Sequence, residues 1–228
     1  MQIRQILSLI VTFSLVGCGS SDQQNEQQAS QHEDLAETPE APAKKNILFF
    51  GNSLTAGQGL DSQNDAFPAL IQAKIDSLNL PYHVINAGLS GETSAGGNER
   101  VDWILKQPID VFVLELGAND GLRGVDPETT YQNLSSIIKK VKAKHPAATL
   151  ILAGMLVPPS MGVTYEKQFR DLFPKLAEEH RMALIPFLLE EVAGESSLNQ
   201  SDGIHPTAAG QKIIANTVWK VLEPLLNQ

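Results

Sequence analysis

Four polar residues stand in this chain where their chemistry is that of acyl transfer. Ser53 lies in Gly51-Asn52-Ser53-Leu54, just beyond the apolar run Ile47 to Phe50. A serine hydroxyl is a weak nucleophile until a base takes its proton. His205 suits that base, and a carboxylate must then hold its other ring nitrogen. Asp202 precedes His205 by three residues, so one turn brings the two side chains together. The charge that develops on a substrate carbonyl needs donors. The backbone N–H of Ser53, the N–H of Gly91 and the side-chain amide of Asn119 are the candidates for that oxyanion hole. Ser53 has a plainer reading, as a turn residue that caps the next helix. Asp120 beside Asn119 has one too, as a residue that shapes its loop.

Competing side chains fit less well. His145 and His180 fall near expected helix C-termini, where a partial positive charge is favourable. His83 opens a strand and His32 lies in a polar stretch. Asp65, Asp110 and Asp120 have no histidine three residues on. Thr55, not glycine, stands two residues after Ser53, so the G-x-S-x-G elbow of the α/β-hydrolases is not met. No P-loop pattern and no H-E-x-x-H helix occurs. Cys18 is the single cysteine, which excludes an intramolecular disulfide and a thiolate metal cluster.

These residues need a scaffold that gathers distant loops. Ile47 to Phe50 carries no charge, as a strand buried on both faces does. Apolar residues recur at helical spacing in Ala66 to Leu78, Thr93 to Leu105, Pro127 to about Ala143, Tyr165 to Glu179 and Thr207 to Leu222. Between them, Tyr82 to Ala87, Val111 to Leu116, Thr149 to Ala153 and Ala183 to Pro186 read as strands, with Pro206 expected at the first position of the last helix. Strands alternating with helices imply a parallel sheet covered on both faces. The expected fold is a three-layer α/β/α sandwich around a five-stranded parallel sheet of flavodoxin-like order 2-1-3-4-5. In such a sheet the segments that follow the strands converge on one edge. Met155-Leu156-Val157-Pro158-Pro159 follows the fourth strand there, and Met155, Leu156 and Pro158 are candidates for lining an acyl groove; the alternative is a buried loop packed on the last helix.

Composition bounds the partners. The chain has 228 residues, 42% of them hydrophobic, enough for one large domain and a short appendage. A net charge of -9 argues against a nucleic-acid partner held by phosphate contacts. The N-terminus is a different kind of sequence. Arg4 precedes an apolar stretch from Ile6 to Val16, of signal-peptide length. Leu15-Val16-Gly17-Cys18 resembles the bacterial lipoprotein box, in which the cysteine is acylated and becomes the new N-terminus. Gly19 to Lys45 has no apolar periodicity and holds six acids against Lys44 and Lys45. Such a stretch is expected to be a disordered tether, with a span of roughly 30 Å as a random coil.

Gly51-Asn52-Ser53-Leu54, Asn86-Ala87-Gly88-Leu89-Ser90-Gly91-Glu92-Thr93, Gly117-Ala118-Asn119-Asp120 and Asp202-Gly203-Ile204-His205-Pro206 together resemble the SGNH (GDSL-type) hydrolase family, in order and at family-like spacing, and residues 87–94 and 117–124 carry a closer likeness. Within it the likeness runs to the bacterial acyl-CoA thioesterase I, arylesterase and lysophospholipase group. The resemblance implies that Ser53 is the nucleophile, that Gly91 and Asn119 complete the oxyanion hole, and that Asp202 and His205 complete the triad. Asn52 departs from the aspartate of the family pattern. Together with the lipoprotein box, which is an addition to the usual member of that group, the expected organisation is a lipoprotein signal peptide over 1–17, lipidated Cys18 and tether over 18–45, and the hydrolase domain over 46–228. The implied function is cofactor-free cleavage of small-molecule esters and thioesters by a monomer. Cys18 would anchor it in the bacterial envelope, on the periplasmic face of the outer membrane. Two other readings are a carbohydrate O-deacetylase and a non-catalytic, tethered binding lipoprotein.

Overall fold

The computed structural model describes residues 44–226. The signal-like segment, Cys18 and the stretch up to residue 43 lie outside the described residues. Strands β1 (Lys45–Gly51), β2 (Tyr82–Gly88), β3 (Val111–Glu115), β4 (Thr149–Ala153) and β5 (Ala183–Ile185) form one parallel sheet in the order β2-β1-β3-β4-β5. This is the expected order. Ile47, Leu48, Phe49 and Phe50 have no exposed surface, as a charge-free run between two neighbouring strands and two covered faces requires. Full burial of side chains of this size stabilises the fold by about 1.5–3 kcal/mol each.

The helices that return the chain are α2 (Phe67–Ser77), α3 (Ser94–Ile104), α5 (Pro127–Lys144), α6 (Val163–Glu179) and α7 (Ala208–Leu226). From β1 the chain steps outward to β2, then crosses back and runs through β3, β4 and β5. Right-handed crossovers therefore put α2 on one face and α3, α5 and α6 on the other. The packing agrees: α2 lies against α7, while α3 lies against α5 and α5 against α6. Caps mark several starts. Thr93 accepts from the N–H of Gly96 before α3, and Asp126 accepts from the N–H of Glu128 before α5, where Pro127 opens the helix.

Most helix and strand limits fall within a residue or two of the sequence reading. The last helix differs more, since α7 runs on through Pro224 to Leu226. A proline there removes one hydrogen bond of the final turn, but Leu222 and Leu226 are buried, and the Tyr82 hydroxyl donates to the Leu226 carbonyl at 3.1 Å. Two short helices, α1 (Ser53–Ala56) and α4 (Ala118–Leu122), stand where only polar loops were expected. They are too short to show a period.

The register of β1 decides what meets at the functional edge. Gly51 pairs with Gly88 on one side and with Glu115 on the other. The ends of β2, β1 and β3 therefore lie side by side. A Cβ at Gly88 would stand 2.3 Å from the backbone nitrogen of Ala56, so α1 rests directly on the end of β2.

His180, at the C-terminal end of α6, is not the solvated helix-end cation that its position suggests. It is 8% exposed, and its Nε2 lies 2.9 Å from Ser135 Oγ on α5. Burial holds the imidazole below the ordinary histidine value of 6.5; Glu179 pulls the other way, and Lys142 and Lys139 add to the lowering. Because the folded form resists protonation, the unfolded chain binds more protons in this window. The stabilisation is therefore complete above pH 6.5 and is lost as pH falls toward the lowered folded value. His180→Gln keeps a partner for Ser135 and does not titrate. The Tm gap between wild type and His180→Gln is expected to narrow from about pH 7 to about pH 5. Groups common to both proteins cancel in that gap. Calorimetry at the two pH values reads it, and a constant gap would mean that His180 does not couple protonation to folding.

Candidate active site

The turn that presents Ser53 is built from its neighbours. Gly51 ends β1, and Asn52 caps α1 by accepting from the Leu54 N–H at 2.9 Å. Asn52, not Ser53, is the capping residue, which leaves the Ser53 hydroxyl free of that duty. Ser53 is the first residue of α1, so its own N–H has no acceptor within the helix. Gly57 closes the turn at φ 71°, a left-handed conformation that suits glycine.

His205 reaches this turn from the other end of the domain. Its Nε2 lies 3.0 Å from Ser53 Oγ, and its Nδ1 lies 2.6 Å from Asp202 Oδ2. With Nδ1–H donating to the carboxylate, Nε2 is left to accept the serine proton. The hydrogen bond from His205, then the backbone N–H groups of His205 and Ile204, hold the Asp202 carboxyl well below the usual carboxylate range. Asp202 thus stays ionised while it orients the ring.

Gln200 ties down the loop that carries the pair. Its backbone N–H donates to the His205 carbonyl at 2.7 Å, and its side-chain amide donates to the Gln58 and Pro206 carbonyls. The contact to Gln58 joins the histidine loop to the serine loop. Pro206 lies before α7, not at its first position as its type suggests. Thr207 takes the capping place, its hydroxyl accepting from the Gly210 N–H at 3.4 Å.

Asn119 stands in α4, one element beyond β3. Its Nδ2 donates to the Glu92 carbonyl at 3.0 Å, so one amide proton is committed and the other is not used in that bond. Gly91 precedes Glu92 at φ 79°, and Arg123 donates to its carbonyl at 3.1 Å. The Glu92 side chain is 3% exposed and is gripped by Arg100 through Nε at 2.6 Å and Nη2 at 2.5 Å. Arg100 also donates to the Ala87 carbonyl at 2.9 Å and lies 4.3 Å above the Phe50 ring. Paired on both sides, this half-buried arginine stiffens the loop that bears Gly91. An open groove lined by Leu89, Ser90, Thr93, Glu99 and Arg100 runs beside Gly91.

Asp120 is more than a loop-shaping residue. It is 1% exposed and accepts from the Ser94 N–H at 2.8 Å and from the Ser94 hydroxyl at 2.5 Å, so it joins α4 to the start of α3. The segment after β4 divides. Met155 is 2% exposed and belongs to the core, and so offers no surface to a ligand here, whereas Leu156 and Pro158 face solvent.

The polar support was not evident from the residue types alone. Glu115 carried no signal, as the last residue of an apolar strand. Glu92 and Arg100 are eight residues apart, across a helix start, and nothing in that spacing announces a pair.

Residues 49–213 match the GDSL-like Lipase/Acylhydrolase family. Esterase TesA of Pseudomonas aeruginosa is 39% identical over 185 residues, which cover 81% of this chain and 90% of that protein. An Escherichia coli protein named thioesterase 1, protease 1 and lysophospholipase is 41% identical over 188 residues, covering 82% and 88%. Among solved structures, the psychrotrophic esterase EstA from Pseudoalteromonas, inhibited by monoethylphosphonate, superposes with a TM-score of 0.75 at 35% identity, over 81% of this chain and all of that one. With most of its described length matched in this way, the chain belongs to the GDSL-like lipase/acylhydrolase family, the SGNH hydrolases.

Proposed function

We propose that this enzyme cleaves carboxylic esters, and thioesters with them, through an acyl-enzyme on Ser53. The observation that carries the reading is the line Ser53 Oγ, His205 Nε2, His205 Nδ1, Asp202 Oδ2, with distances of 3.0 and 2.6 Å at its two hydrogen bonds. Ser53 Oγ attacks the substrate carbonyl while His205 takes its proton. The oxyanion accepts from the N–H of Ser53, the N–H of Gly91 and the second amide proton of Asn119. His205 then returns the proton to the departing alcohol or thiol. Water repeats the attack on the acyl-enzyme and restores the serine. Asp202 keeps the imidazole in the useful tautomer throughout. Leu156 and Pro158, exposed after β4, are proposed to meet the acyl part; Met155 supports them from the core.

The test is a series of p-nitrophenyl esters from acetate to palmitate, with an acyl-CoA beside it, assayed on wild type and on Ser53→Ala. Turnover across chain lengths, abolished in Ser53→Ala, is expected. Acetate alone would point to a deacetylase, and no turnover to a binding lipoprotein. Substantial activity in purified Ser53→Ala would overturn the acyl-enzyme.

Asn119→Ala separates an oxyanion donor from a structural amide. Removal of one such donor costs roughly 2.7–4 kcal/mol, on the order of a hundred- to a thousandfold in kcat. KM should move far less, because the bond strengthens as the oxygen becomes anionic. The bond to the Glu92 carbonyl is lost in the same variant, so Tm is measured on the same preparation. A folded Asn119→Ala enzyme with unchanged kcat would remove Asn119 from the hole.

We further propose that Cys18, outside the described residues, carries the lipid that holds the domain at the periplasmic face of the outer membrane. The box at Leu15 to Cys18 and the polar stretch after it support this reading. Cys18→Ser is expected to move the protein from the membrane to the soluble fraction with kcat unchanged. Equal membrane association of both forms would place the anchor elsewhere.

A further inference from the structure

Glu115 has no exposed surface and no cation among the groups that act on it, yet it ends β3 as a carboxyl beside the nucleophile turn. Such a group is costly to bury. The hydrogen bonds that its carboxyl accepts come from Asn52 and Thr55, in the turn that holds Ser53. Oε1 accepts from Asn52 Nδ2 at 2.7 Å. Oε2 accepts from the Asn52 N–H at 3.1 Å, the Thr55 N–H at 3.3 Å and the Thr55 hydroxyl at 2.7 Å. A Cβ at Gly51 would stand 2.5 Å from Glu115 Oε2 and 2.1 Å from Thr55 Oγ1, so the glycine leaves room for this junction.

We propose that Glu115 is a positioning residue for the nucleophile, acting by dictating which way the buried Asn52 amide faces. The inference rests on the reading of Ser53 as nucleophile. An amide has one donating end and one accepting end. Oε1 of Glu115 holds the donating end, which turns Oδ1 toward α1. There Oδ1 accepts from the Leu54 N–H at 2.9 Å and lies 3.4 Å from Ser53 Oγ. A flipped amide would set Nδ2 against the Leu54 N–H, donor against donor, and loosen the cap that holds Ser53 under His205. Thr55, gripped by Oε2, is held from the other side by Asn86, whose Nδ2 donates to the Thr55 carbonyl at 2.8 Å. The nucleophile turn is thus clamped between β2 and β3.

Burial, opposed by these hydrogen bonds, pushes the Glu115 carboxyl up to about 7. The clamp works in both protonation states. A proton on Oε2 can be donated to Thr55 Oγ1, while Oε1 goes on accepting from Asn52.

A swap of donor and acceptor tests the proposal. Glu115→Gln sets an amide N–H against the Asn52 and Thr55 backbone N–H groups or, turned over, against Asn52 Nδ2, which forces the flip. Asn52→Asp in that background restores a complementary pair: the new amide at position 115 donates to one carboxylate oxygen at position 52, and the other oxygen accepts from the Leu54 N–H. Two readouts are taken on folded protein, kcat and KM for a p-nitrophenyl ester and the rate at which a fluorophosphonate labels Ser53, followed by mass. In that labelling the Oγ–P bond forms, the P–F bond breaks, fluoride leaves and His205 receives the proton. Glu115→Gln is expected to lower kcat and labelling by about tenfold or more with KM within about twofold, and the double variant to recover most of the loss. A folded Glu115→Gln within about twofold of wild type in both readouts overturns the proposal, as does a double variant no better than Glu115→Gln. Should Glu115→Gln not fold, Asn52→Ala tests the same link with the carboxylate kept. A loss below about twofold in kcat then overturns the proposal, and a larger loss with KM unchanged supports it. Wild type unlabelled at Ser53 would instead sink the nucleophile reading, whatever Glu115 does.

Discussion

Where β1 ends, Gly51 has Gly88 on one side and Glu115 on the other, and the buried Glu115 carboxyl fills the space that a side chain at Gly51 would need. This junction sets the terms for the rest of the edge. A carboxyl without solvent must find donors, and the nearest are the backbone and side chains of Asn52 and Thr55. Meeting that need shapes the chain into the tight turn that exposes one face of Ser53. The same glycine register brings α1 onto the end of β2. A parallel sheet makes such a junction possible because all its strands end on one side, so turns far apart in sequence become neighbours.

Around this centre the polar residues form separate, satisfied groups. Arg100 and Glu92 stiffen the Gly91 loop, Asp120 fastens α4 to α3, and Gln200 ties the histidine loop to the serine loop. Each is mostly closed off from water or bonded to main chain, where hydrogen bonds hold geometry more firmly than at the surface. Asp202 differs, since its side chain is 44% exposed. Its charge is secured by three donors rather than by burial, and it can remain ionised while the imidazole beside it changes state. The division is sensible for hydrolysis: the parts that must not move are dry, and the carboxylate that must keep its charge is open to water.

The sequence was enough for the architecture and for the list of candidate residues. The charge-free run Ile47 to Phe50 demanded a strand covered on both faces, and the alternation of such runs with helical spacing demanded a parallel sheet. Ser53, Gly91, Asn119, Asp202 and His205 stood out as candidates because each sits in a short polar segment containing glycine beside a strand or helix end, where residue type is not dictated by packing. What belonged to tertiary structure was everything that depends on contacts between segments far apart in the chain. Burial turned His180 from an expected helix-end cation into a neutral partner of Ser135. Packing sent Met155 into the core and left Leu156 and Pro158 outside. The 3.0 Å between Ser53 and His205 spans 152 residues, and the bond between Glu115 and Asn52 spans 63. A local pattern records the period and the turn chemistry of its own segment; the direction of a buried amide is set by the group it meets across the sheet, and only the folded chain brings the two together.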